Sequence, residues 1–88
     1  MKLVNIGFGN MVSCDRIVSI VSPESAPIKR LVQDAKEAGN LIDATQGRKT
    51  KSVIVTDSEL LVLSYLSADV VGQRIDPDYK SLEGEEDE

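Results

Sequence analysis

Three cations stand close behind a glycine: Arg48, Lys49 and Lys51 follow Gln46-Gly47. Arginine grips an oxyanion with two parallel N–H donors and lysine supplies a point charge, so the chemistry this cluster offers is anion binding. An ordinary solvated turn is the competing reading, because Lys and Arg are common in turns. Catalytic ingredients are sparse. The chain has no histidine, and Cys14 is its single cysteine. One cysteine makes no internal disulfide, and the pair of counts leaves no plausible transition-metal site, so neither metal nor cofactor is expected. Cys14, near Val12 in an apolar strand, reads as a buried structural thiol. Ser13, Ser19 and Ser22 have no base beside them, and nothing in the spacing of Asp43, Asp57 and Asp69 pairs those carboxylates. No enzyme is expected. Gly7-Phe8-Gly9 is not a nucleotide loop: position 12 is Val, and a strand follows where a helix is required.

The cations need a rigid carrier. Leu41 to Val55 reads LIDATQGRKTKSVIV: two strand-like runs around Gln46-Gly47, with Gly47 supplying a positive φ. The expectation is a projecting hairpin, Leu41 to Thr56, with the cations near its tip. Upstream, Lys2–Ile6 reads as a first strand, Gly7–Asn10 as a turn, Met11–Cys14 as a second strand and Arg16–Val21 as a third. Ile17, Val18, Ile20 and Val21 are all apolar, which predicts that both faces of the third strand are covered. Ser22-Pro23-Glu24-Ser25-Ala26-Pro27 is a helix entry, with Ser22 or Ser25 as cap and a proline in the first turn. The helix is expected over about 25–38, burying Ile28, Leu31, Val32 and Ala35, and stopping at Gly39. Leu60–Leu66 reads as a further strand. Ser67 caps a short helix, Ala68–Ile75, with Val70, Val71 and Ile75 inward. The fold class is therefore α+β with a mostly antiparallel sheet, since most connections are too short for a parallel crossover.

Eighty-eight residues make one domain. With one Phe, two Tyr and no Trp, its core is small and aliphatic, worth only about 3–5 kcal/mol of net stability. Self-association is the remaining source of stability, so an oligomer is expected, and Phe8 on its turn is a candidate subunit contact. No apolar run approaches a membrane span, and no signal peptide is visible at Met1-Lys2-Leu3. The expected compartment is the cytoplasm, and no small-molecule ligand is evident. The formal charge of -5 is uneven: Asp76–Glu88 holds seven acids and one base, leaving Met1–Ile75 at +1. Residues 1–75 are read as the domain and 76–88 as a disordered acidic tail. Two partner classes suit a basic spot on such a chain. One is duplex DNA, whose backbone needs charge and shape rather than aromatic rings. The other is an acidic protein bound by a homo-oligomeric interaction module.

NIGFGN (Asn5–Asn10), VSPESAPIKR (Val21–Arg30) and LIDATQGRKTK (Leu41–Lys51) together resemble the RemA family, the bacterial extracellular matrix regulatory proteins. The resemblance runs from about Asn5 to Arg74. It implies a DNA-binding transcriptional regulator, typically an activator of biofilm-matrix genes. It also implies a ring-like homo-oligomer carrying DNA on its outside, and a subunit likened to the LytTR-type DNA-binding domain. Arg16, Arg48, Lys49 and Lys51 match the family's basic positions, and Lys29 and Arg30 are candidates to extend the patch. Two positions depart from the pattern: Lys49 stands where relatives often have Arg, and Gln46 where relatives can have an aromatic. Such a ring would sit at the nucleoid.

An acidic tail that competes with DNA for the basic tip carries its own test. Deleting the residues after Pro77 should tighten binding to random duplex at low salt, and an unchanged affinity removes the idea.

Overall fold

The computed structural model of the chain describes residues 1–80. Within them nine elements follow one another, eight of them regular strands and helices. Strands β1 (Leu3–Asn5) and β2 (Met11–Ser13) form an antiparallel hairpin with Val4 opposite Val12. A single 3-10 turn, Cys14–Arg16, leads to β3 (Ile17–Val21). Then come α1 (Ala26–Ala38), β4 (Leu41–Asp43), β5 (Ser52–Thr56), β6 (Leu61–Ser64) and α2 (Ala68–Ile75). The second sheet has the order β3-β5-β6-β4. Its β3–β5 and β5–β6 pairs are antiparallel and its β4–β6 pair is parallel. The α+β class with a mostly antiparallel sheet is as the sequence predicts. Among the described residues no helix is long and apolar enough to cross a membrane.

Side chains along β5 and β6 alternate between two cores, as the period of two in a strand demands. Val53, Leu61 and Leu63 face α1, where Ala35, Ile28 and Val32 cover them. Ile54 and Val62 face the opposite way and meet Val4, Ile6, Ala44 and Val71, contributed by the β1–β2 hairpin, the loop after β4 and α2. The four-stranded sheet is thus the middle of three layers.

Local sequence explains the helix ends. Ser25 caps α1 by accepting a hydrogen bond from the Ile28 N–H, and Pro27 occupies the first turn, where a missing N–H is harmless. Gly39 adopts φ 79°, the left-handed conformation that ends a helix. Ser67 caps α2 at the Val70 N–H.

Several expectations are corrected. The stretch from Leu41 to Thr56 is not a hairpin, because β4 pairs with β6 and β5 lies between β3 and β6. The Asp43 carboxylate accepts from both the N–H and the hydroxyl of Thr45, which turns the chain out of β4 before it can pair back on itself. The third strand is not covered on both faces: Val18 is 65% exposed, at the register shift between Ile17 and Ser19 on an edge strand. Leu31 is 41% exposed, because Ile28, Val32 and Ala35 align as one stripe and Leu31 falls on its flank. Val70 is exposed too, since Val71 is the fully buried residue of α2 and a neighbour in sequence points about 100° away.

Cys14 lies in the 3-10 turn rather than in a strand, partly buried against the second core. Structure also continues past Ile75. The Tyr79 hydroxyl donates to Asp69 at 2.8 Å, its N–H donates to the Asp76 carbonyl, and its ring packs beside Gly72. Residues 76–79 are therefore folded onto α2, whereas the disorder expected for 81–88 lies outside the described residues.

Ile54 is fully buried in the central strand. Ile54→Ala should cost about 2–5 kcal/mol of stability, read as a lower urea midpoint by circular dichroism.

Candidate nucleic-acid interface

The basic cluster rides on an arch. Because β4 and β6 are parallel neighbours, the chain leaving β4 must cross the end of β6 before it can enter β5 on the far side. Residues 44–51 make that crossing. Both feet of the arch are tied to β6: the Ala44 N–H donates to the Leu63 carbonyl and the Lys51 N–H to the Ser64 carbonyl. Ala44 and Thr45 are buried. Between the feet, Gln46 at φ 53° and Gly47 at φ 84° are both left-handed, and the Arg48 N–H closes the turn on the Thr45 carbonyl. Arg48, Lys49 and Lys51 are all exposed along this short path.

Buried hydroxyls fix the ground beneath the arch. Ser64 donates to the Ile6 carbonyl at 2.8 Å and Ser52 to the Leu66 carbonyl at 2.7 Å. The first bond ties β6 to the β1–β2 hairpin, and so brings Gly7 and Phe8 beside Tyr65, the residue after Ser64. Asn5 accepts from the Gly7 N–H, and Asn10 donates through its side chain to the Gly7 carbonyl. Gly7 has φ 118°, and a Cβ at that position would overlap the Tyr65 ring, so only glycine fits. Phe8 is left-handed at φ 56°. Its ring centroid lies 4.7 Å from that of Tyr65 with 36° between the planes. The Arg48 guanidinium lies over both rings, 5.8 Å from the Phe8 centroid and 5.9 Å from that of Tyr65. Among the described residues no carboxylate is paired with Arg48.

The six basic positions do not converge on one patch of the chain. Arg48, Lys49 and Lys51 share the arch. Lys29 stands near it, lining a groove with Pro23, Val32, Thr50 and Leu63. Arg30 lies beside Ala26 and Pro27 on another part of α1. Arg16 is at the opposite end of β5, where Ile17 faces Thr56, about 17 Å from Ser52 along a five-residue strand. There the Arg16 Nε meets Asp57 at 2.8 Å, and the Asp57 N–H donates to the Arg16 carbonyl. Tyr65 is the site residue that sequence reasoning missed. No spacing links it to Arg48, since the hairpin turn and the end of β6 meet only through tertiary pairing. Phe8 stands out in the sequence as its only phenylalanine, on a glycine-flanked turn, but as a candidate subunit contact rather than as a ring beneath Arg48.

This geometry accompanies a clear kinship. The family model described as RemA-like, extracellular matrix regulatory protein A-like, matches residues 3–75. The chain belongs to the RemA-like family. A relative from Clostridium kluyveri is 54% identical over 88 residues, the whole of this chain and 90% of its own length. One from Thermoanaerobacter sp. is 54% identical over 90 residues, covering the whole chain and 94% of its own length. One from Geobacillus thermodenitrificans is 57% identical over 75 residues, 85% of this chain and 86% of its own. The names of all three carry the words regulatory protein. Membership of the RemA-like family indicates a regulatory rather than an enzymatic role, and residues 3–75 contain the arch, the aromatic pair and Arg16.

The Asp43–Thr45 contact that starts the arch is testable by pH. The Thr45 hydroxyl, and then its N–H, hold the Asp43 carboxyl below its ordinary value of 3.8. A depressed folded pKa stabilises the fold above the ordinary value, and that contribution is lost as pH falls through the lower folded one. Thr45→Val keeps the buried shape but removes the hydroxyl. The variant should be less stable than wild type at neutral pH, with the gap in urea midpoints narrowing below about pH 3.8; a gap independent of pH would assign the loss to packing.

Proposed function

We propose that the protein is a DNA-binding transcriptional regulator, a homo-oligomeric ring of LytTR-like subunits that presents repeated basic arches to the backbone of duplex DNA. Activation of extracellular-matrix genes is the role that its family membership suggests, and a place at the nucleoid follows from the reading. The observation that carries it is the arch itself: three exposed cations on a loop pinned at both ends to the sheet. Backbone phosphates are the natural ligand for such a surface, which offers charge in a set shape and no base-reading helix. Both helices are short, and α1 carries its apolar stripe on the sheet.

One arch binds weakly. Several arches along one duplex raise the effective concentration at each later contact, adding roughly two to four decades of avidity. The surface has the means to self-associate: Met11, Ile42 and Leu60 are exposed and line one groove with Val12, Val62 and Arg16. In this reading Arg48, Lys49 and Lys51 make the primary contacts, Lys29 and Arg30 extend the cationic surface along α1, and Arg16 supplies a second contact from the far end of the sheet. Specificity then arises from the ease of bending the duplex rather than from base edges.

The test pairs native mass with duplex binding across a salt series. Arg48→Ala should leave the oligomer intact, weaken binding to every sequence, and reduce the slope of log K against log salt by about 0.9 for each phosphate left without its cation. Loss of the oligomer would place Arg48 between subunits instead. A multimer with no salt-sensitive DNA binding, yet binding an acidic protein, would replace this reading with that of a protein-interaction module.

A further inference from the structure

An arginine on a loop tip ordinarily samples many rotamers and loses that freedom when it grips a phosphate. Arg48 is not placed in that way. Its guanidinium lies over Phe8 and Tyr65 at nearly equal distances, 5.8 and 5.9 Å. A ring attracts the cation through its electron-rich face and takes none of the guanidinium N–H donors. The donors that a phosphate needs therefore stay available while the side chain is already ordered. Arg16 shows the contrast, with its Nε engaged by a carboxylate.

The platform is itself built into the fold. Tyr65 follows Ser64, whose hydroxyl is bonded to the Ile6 carbonyl. Gly7 leaves room for the Tyr65 ring, and Asn5 and Asn10 brace the turn that carries Phe8. Phe8 keeps a left-handed backbone and 42% of its surface exposed, an arrangement with little to recommend it for burial alone. Three segments remote in sequence are needed to place one guanidinium.

From this we infer that Phe8 and Tyr65 are positioning residues for DNA binding, a two-ring platform that holds Arg48 with its donors free for a backbone phosphate. The inference rests on the DNA-binding reading above and adds to it the means by which one cation of the arch is made ready. Neither ring need touch DNA. The contribution of the platform passes through Arg48 and vanishes when Arg48 is gone.

A double-mutant cycle on the full-length protein tests it, with a random-sequence duplex as probe and anisotropy as readout at several salt concentrations. Tyr65→Leu should weaken binding by about two- to fivefold per engaged subunit, the scale of an exposed cation–ring contact. The salt slope should stay at the wild-type value, because no charge is removed, whereas Arg48→Ala reduces it. Tyr65→Phe should bind as wild type, since it keeps the ring. Tyr65→Leu added to Arg48→Ala should have no further effect. If the two substitutions are instead additive, or if Tyr65→Phe binds as poorly as Tyr65→Leu, the platform is overturned. Native mass and circular dichroism check each variant. Should Tyr65→Leu fail to fold, Phe8→Leu at the half-exposed ring completes the same cycle: no added effect on Arg48→Ala supports the platform, and additivity overturns it. A wild-type protein with no affinity for duplex at low salt would fail the DNA-binding reading itself, and the inference with it. Wild-type binding with an additive cycle would fail the inference alone.

Discussion

Parallel pairing of β4 with β6 is the constraint from which the basic arch follows. Two parallel neighbours separated in sequence by a third strand require the chain to pass over the end of one of them. Here the passage is eight residues long and is anchored by backbone bonds to Leu63 and Ser64. A free hairpin of the same composition would twist and fray at its tip. An arch bonded at both feet has its backbone set by the sheet, and with it the points from which the three cations project. Asp43 and Thr45 start the turn, and the left-handed pair Gln46-Gly47 completes it.

The same junction draws in the hairpin at the other end of the chain. Ser64 sits in the buried end of β6, and its hydroxyl has to find an acceptor, because an unpaired polar group there is costly. The Ile6 carbonyl answers that need. One bond between residues 58 positions apart therefore sets the Phe8 turn against Tyr65, and both rings beneath Arg48. Packing, polar satisfaction and the placement of an exposed cation are here one problem with one solution.

The exposed charge is modest, and the proposed assembly multiplies it by repetition. The exposed Met11, Ile42 and Leu60 are apolar surface that a second copy can cover. Arg16 and the arch occupy opposite ends of β5, so the two basic patches do not meet within one chain. In the proposed ring, neighbouring copies along one duplex let both patches take part.

Much of this chain is readable from local pattern. Ser25, Pro27 and Gly39 bracket α1, Ser67 begins α2, and the β-branched runs mark β3 and β5, because caps and propensities act within a few residues. The basic cluster lies within four consecutive residues, Arg48 to Lys51, so its presence is a property of composition and spacing. Partnerships between strands are not local. The hairpin expected at Leu41–Thr56 fails because the choice between β5 and β6 as a partner for β4 is made by the whole sheet, where β5 is already flanked by β3 and β6. The exposure of Val18, Leu31 and Val70 likewise depends on which neighbours arrive, not on the residues' own hydrophobicity. Tyr65 beneath Arg48 belongs to that second kind. Its spacing from Arg48 and from Phe8 carries no periodic signal, and only the closing of hairpin, sheet and arch upon one another brings the three side chains together.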